Sequence, residues 1–147
     1  MKLSTRARYG TRALLDLAIH SGDNSTVTLK EIAQRQDIPI AYLEHLVAPL
    51  IGGGIVRSIR GSKGGIILAR PAREITLEDI VSLLEGPTAP VECLVSSSTC
   101  PRSGLCATQE VWGEIGKAID RVLVSKTLQD LVERQNSKNS LKPMYYI

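Results

Sequence analysis

Between Thr28 and Ala69 the apolar residues keep a helical spacing on both sides of a short turn and then change to a strand-like one, an order that few folds accommodate. Thr28 with Glu31 three residues on forms a capping box, in which hydroxyl and carboxylate each satisfy an orphan N–H. A helix is predicted over residues 29 to 36, burying Ile32 and Ala33. Asp37, Ile38 and Pro39 read as a turn, with Pro39 suited to the first position of the next helix, where its missing N–H costs little. That third helix carries Leu43, Leu46, Val47 and Leu50 on one face and stops at Gly52, Gly53 and Gly54. Pro49 inside it would cost ~3 kcal/mol and free the His45 carbonyl, which predicts a kink or an early end. Residues 55–59 then read as a strand, 60–65 as a glycine-rich turn and 66–69 as a returning strand.

The flanks extend this pattern. Residues 4–21 place Tyr9, Ala13, Leu14, Leu17 and Ala18 at helical spacing, with Gly22 as the stop and Arg6, Arg8 and Arg12 off the apolar stripe. Thr76 and Asp79 repeat the capping-box spacing before Ile80, Leu83 and Leu84. A long helix from about Ala107 to Val124 carries Val111, Trp112, Ile115, Ile119, Val122 and Leu123 on one stripe, and Thr127 caps a shorter helix through about Arg134. With no Phe, one Trp and four Tyr among 147 residues, the core must be built from aliphatic side chains, which suits helices better than a sandwich or barrel.

The expected fold is therefore mainly α: a winged helix-turn-helix with a two-stranded β wing and a long C-terminal dimerisation helix. Its parts are a winged head over 1–86, a cysteine-bearing loop over 87–106, a dimerisation helix and final short helix over 107–134, and a flexible tail over 135–147. Tyr145, Tyr146 and Ile147 in that tail are candidates for docking. A small helical domain with an ordinary surface hairpin is the plainer alternative. The dimer follows because a solitary long helix would leave Trp112 and several aliphatics exposed. No apolar run reaches the ~18 residues of a spanning helix and the start lacks a secretory signal, so a cytoplasmic location is expected.

Charge points to a partner for the head. Through Arg73 the chain carries 11 Lys or Arg against 5 Asp or Glu, and beyond it 7 against 10. A basic half attracts phosphates, so double-stranded DNA is the expected partner, with a protein-binding adaptor as the rival. The candidate DNA surface is Ala41, Tyr42, Glu44 and His45 on the third helix with Arg60, Ser62 and Lys63 at the wing tip. Glu44 can accept from cytosine N4. Arg60 suits the negative potential of a narrow A/T minor groove, which Lys63 and the neighbouring glycines let the wing approach. Tyr42 and His45 reach bases or phosphates on this reading; on the plainer one they pack or face solvent.

Enzyme readings fare poorly. Residues 61–65 lack the phosphate-binding loop pattern, and His20 and His45 have no Ser-Asp or Cys partner nearby in sequence. His20 instead suits the C-terminus of the first helix.

Cys93, Cys100 and Cys106 lie on a loop rich in Gly, Ser and Pro, spaced C-x6-C-x5-C. An odd number of cysteines in a reducing compartment points away from structural disulfides and towards metal or redox chemistry. Thiolates suit iron-sulfur clusters or zinc; a redox disulfide switch and three incidental cysteines are the other readings.

Several segments carry a resemblance: Arg8-Tyr9-Gly10, Ala13-Leu14-Leu15-Asp16, Tyr42-Leu43-Glu44, Val56-Arg57-Ser58-Ile59-Arg60-Gly61 with Gly64-Gly65, and the three cysteines followed by Val111-Trp112. Over residues 1 to about 132 the chain resembles the IscR family of iron-sulfur cluster regulators, winged-helix repressors and activators that include the nitric-oxide sensor NsrR. The resemblance implies a 2Fe-2S cluster on Cys93, Cys100 and Cys106, a homodimer built on the long helix, and control of cluster-assembly genes. Two departures stand out. Where the family has a ligating histidine three residues after the last cysteine, this chain has Gln109, and at the first-helix positions that supply a ligand in other relatives it has Arg8 and Arg12. The fourth ligand stays open among Gln109, Glu110, Glu44, His45 and an exogenous thiol or water, and a labile cluster is expected. In the third helix, Pro39, Ala41 and His45 replace polar base-contacting residues, so a different operator preference is expected.

Overall fold

The computed structural model describes residues 2–142. Helix α1 (Thr5–His20) begins at Ser4, whose hydroxyl accepts from the Ala7 N–H. It ends at Ser21, one residue before the expected glycine, and Gly22–Asn24 forms a 3-10 turn. Helix α2 (Leu29–Gln36) has the complete Thr28–Glu31 capping box. Asp37 reverses the chain in the left-handed conformation, at φ 53°, which aspartate tolerates better than most residues.

Helix α3 (Ile40–Gly52) corrects two expectations. Pro39 is the N-cap rather than the first helical residue, and Pro49 does not end the helix, which runs on to Gly52. His45, whose carbonyl Pro49 leaves unpartnered, is an exposed residue, where water can replace the lost donor.

Strands β1 (Val56–Ile59) and β2 (Gly65–Leu68) pair antiparallel, with Val56 opposite Leu68 and Ile59 opposite Gly65. Val27 and Ile66 exchange hydrogen bonds of 3.0 and 2.8 Å, which fastens the hairpin to the segment before α2. Helix α4 (Leu77–Glu85) carries the Thr76–Asp79 capping box, α5 runs Ala107–Ser125 and α6 runs Leu128–Leu141.

One core joins the head. Leu14 and Leu17 of α1, Leu43 and Leu46 of α3, and Ile80 and Leu84 of α4 are buried together. The Leu84 side chain packs directly over Gly10, so a Cβ there would force the leucine to shift at the α1–α4 contact. The start of α6 docks on the same head: Leu128 is fully buried and its N–H donates to Ile75 O at 2.8 Å, while Leu77 N–H donates to Lys126 O at 2.9 Å.

The expected flexible tail is helical as far as Leu141. Residues 135–141 contain neither Gly nor Pro, and Gln135 donates to Asn139 at 3.0 Å, the i,i+4 pairing that supports an exposed helix. Tyr145, Tyr146 and Ile147 lie outside the described residues. Among the described residues no helix is long and apolar enough to cross a membrane.

Candidate nucleic-acid interface and cysteine loop

The α2–turn–α3 pair and the hairpin put the candidate DNA residues on exposed positions of two adjoining elements. Ala41, Glu44 and His45 of α3 are exposed, as are Arg60, Ser62 and Lys63 at the hairpin tip, and neither Arg60 nor Lys63 forms an ion pair among the described residues. The tip is held from behind: Thr26 Oγ1 donates to Lys63 O at 2.7 Å, and a Cβ at Gly64 would lie 2.6 Å from Ile59 O, so the turn closes only over glycine.

Tyr42 differs from its neighbours. It is half-buried, with its ring edge-on to Tyr9 at 5.9 Å, and the Arg12 guanidinium lies 5.4 Å from the Tyr9 centroid. Arg12 also donates to the Gln36 side chain and carbonyl. Behind this chain sits Asp16, only 2% exposed, which accepts from Arg35 and from Gln36 Nε2 at 2.9 Å. The pairing holds the Arg35 guanidinium above its ordinary pKa, through its hydrogen bond to Asp16. His20 Nδ1 lies 2.8 Å from Asp16 O, the helix-end role expected of it. Sequence reasoning missed this network, although a carboxylate beside Ala13 and Leu17 on the buried face of α1 was its signal.

The three cysteines are free and half-buried. Cys93 lies in the 3-10 turn Glu92–Leu94, Cys100 follows the turn Ser97–Thr99, and Cys106 is the N-cap residue of α5. Cys106 Sγ lies 3.0 Å from Thr108 Oγ1. That hydroxyl and the Gln109 backbone N–H favour the thiolate and hold Cys106 below the ordinary thiol pKa. Gln109 is clasped onto the loop: its Nε2 donates to Cys93 O at 3.1 Å and to Ser103 Oγ at 3.0 Å, while its Oε1 accepts from Gly104 N–H at 3.0 Å. Among the described residues no three His, Cys, Asp or Glu side chains are gathered closely enough to hold a metal ion. Thiols are soft donors whose chemistry suits an iron-sulfur cluster, but the three are not gathered around one point in this arrangement.

Helix α5 buries almost none of its length within the protomer. Val111, Trp112 and Val122 are exposed, Ile115 and Ile119 half-buried. Leu123, the last residue of the expected dimer stripe, is 9% exposed and packs within its own protomer, near α1 and α4.

Helix-turn-helix, basic wing and long outlying helix together define a winged helix-turn-helix transcription regulator. The chain belongs to the Rrf2 family, described as iron-dependent transcriptional regulators, whose model matches residues 3–134. It is 48% identical over 132 residues to Protein rrf2 of Nitratidesulfovibrio vulgaris, covering 90% of this chain and 87% of that protein. CymR of Bacillus subtilis is 40% identical over the full length of both chains. The structure of that CymR, the global cysteine regulator of B. subtilis, superposes with a TM-score of 0.79 over 91% of this chain and 98% of CymR. IscR of T. potens is 39% identical and superposes at 0.77, over 92% of this chain and 88% of IscR. The resemblance to IscR therefore holds at the level of the family, with rrf2 and CymR at least as similar. These relatives regulate transcription, and the chain is a DNA-binding regulator rather than an enzyme.

Proposed function

We propose that the chain is a homodimeric repressor or activator of iron-sulfur cluster biogenesis genes that senses cluster status through a 2Fe-2S cluster on Cys93, Cys100 and Cys106. The observation that carries this reading is the position of the thiols, on the one loop that joins the winged head to α5. Bound there, a cluster supplies a redox- and oxygen-labile link between three loop positions. Rearrangement of the loop then shifts the placement of the heads on DNA, in proportion to the cluster's preference for one arrangement. DNA contact falls to Ala41, Glu44 and His45 in the major groove and to Arg60, Ser62 and Lys63 at the wing, with Tyr42 bracing α3 against Tyr9. The dimer forms along Val111, Trp112, Ile115, Ile119 and Val122.

Anaerobic reconstitution followed by an absorption spectrum and footprinting tests it. Visible absorption lost in each single Cys→Ala variant, with holo and apo proteins protecting operators differently, is the expected result. A colourless protein carrying zinc removes the cluster. Equal footprints of coloured and metal-free protein remove the sensing.

A thiol-responsive regulator is the second reading, favoured by the lowered Cys106 pKa and by the likeness to CymR. Footprints that change with peroxide and recover with thiol, without iron, would select it.

A further inference from the structure

Gln109 stands in the third position of α5, where a glutamine ordinarily reaches back to the N–H of the N-cap residue. Here the side chain passes the N-cap, Cys106, and reaches the Gly104 N–H instead. Gly104 has φ 88°, a left-handed conformation that favours glycine and sets the backbone of this turn. The amide orientation follows from its partners: Gly104 offers only an N–H, so the oxygen faces it, and the Cys93 carbonyl accepts only from the nitrogen. Both amide hydrogens are used, on Cys93 O and Ser103 Oγ.

We infer that Gln109 is a positioning residue for the cysteine loop rather than a cluster ligand: its amide clasps the Cys93 segment to the 103–104 turn and keeps the metal-free loop ordered.

One side chain thereby bridges positions from 93 to 104 and brackets the stretch that contains Cys100. A ligand role would make its oxygen serve a metal while it also accepts from Gly104, or would break that bond and leave the N–H without its protein partner. A neutral amide is also a weak ligand beside thiolates. The clasp stands independently of what the thiols bind. Only its importance for sensing rests on the cluster reading above. Because the Gln109 amide already spends its groups on the loop, the fourth ligand of a cluster falls to another group, and loading then rearranges a loop that is already held rather than ordering an open one.

Hydrogen–deuterium exchange on the full-length, metal-free, reduced protein tests the clasp. Gln109→Ala removes all three side-chain hydrogen bonds and should speed exchange of peptides spanning 93–105 by at least about tenfold, with peptides from α3 unchanged. Gln109→Glu keeps an acceptor for Gly104 but loses the donor to Cys93 O, and should fall between Gln109→Ala and wild type. Wild-type exchange in the loop of Gln109→Ala would overturn the proposal. Anaerobic loading with iron and sulfide gives a second readout: the clasp predicts slower loading of Gln109→Ala with an unchanged absorption band shape, and a changed band shape would make Gln109 a ligand and overturn it. If wild type takes up no cluster, the cluster reading fails and the exchange measurement alone decides the clasp.

Discussion

Arg35 holds Asp16 with two nitrogens: Nε lies 3.0 and 3.1 Å from the two carboxylate oxygens and Nη2 2.7 Å from Oδ2. The carboxylate is buried in α1 and the guanidinium belongs to α2, so the pair sets how the helix-turn-helix sits on the rest of the head.

Removing the cation leaves a buried carboxylate with Gln36 as its remaining side-chain donor. Arg35→Ala should cost about 2 kcal/mol, below the range for breaking a fully buried pair because Arg35 is a third exposed and screened by solvent. Arg35→Lys should recover only part, since an ammonium cannot reproduce the planar fork. Urea unfolding checks both, and unchanged midpoints would reduce the pair to surface decoration.

Arg60 at the wing tip forms no ion pair among the described residues. Arg60→Ala should weaken binding to A/T-flanked operators more than to G/C-flanked ones, because a narrow A/T groove concentrates negative potential. Fluorescence anisotropy on paired operators measures it. Equal losses would make Arg60 a phosphate contact.

Val111 is 50% and Val122 57% exposed on α5, whereas Ile115 and Ile119 are half-buried within the protomer. Lysine at both valines should therefore separate the protomers without disturbing the head. Sedimentation at micromolar concentration should give a dimer for wild type and a monomer for Val111→Lys with Val122→Lys. A monomeric wild type would end the dimer proposal.

Asp130 accepts from the Thr127 N–H at 2.9 Å, and that bond lowers its pKa below the ordinary aspartate value of 3.8. A depressed carboxylate contributes stability that is present above its unfolded pKa and lost as pH falls through the folded one. The cap of α6 should hold as pH falls past 3.8 and loosen only below it. The Thr127 amide resonance should titrate with a midpoint below 3.8, and Asp130→Asn should abolish the titration. A midpoint above 3.8 would contradict the cap.

Local signals carried the sequence reading far. Capping boxes at Thr28 and Thr76, the Thr127 cap and the glycine stops act within a turn of chain, so the elements and their order from α1 to α5 were readable from neighbours alone. The same holds for the exposed positions of Glu44, His45, Arg60 and Lys63, and for the loop that carries the cysteines. Tertiary structure decided what distant residues do to one another. Pro49 stays inside α3, whose Leu46, Val47 and Leu50 are buried in the head. Leu123 turns into its own protomer, and Asp16 is buried because Arg35 and Gln36, nearly twenty residues on, meet it across a helix packing that no local pattern records. Gln109 reads from sequence as one of several candidates for a fourth ligand, in the place of the family's histidine. Folded, it spends its amide on Cys93, Ser103 and Gly104, since a hydrogen-bonding group takes the partners that the fold brings within reach.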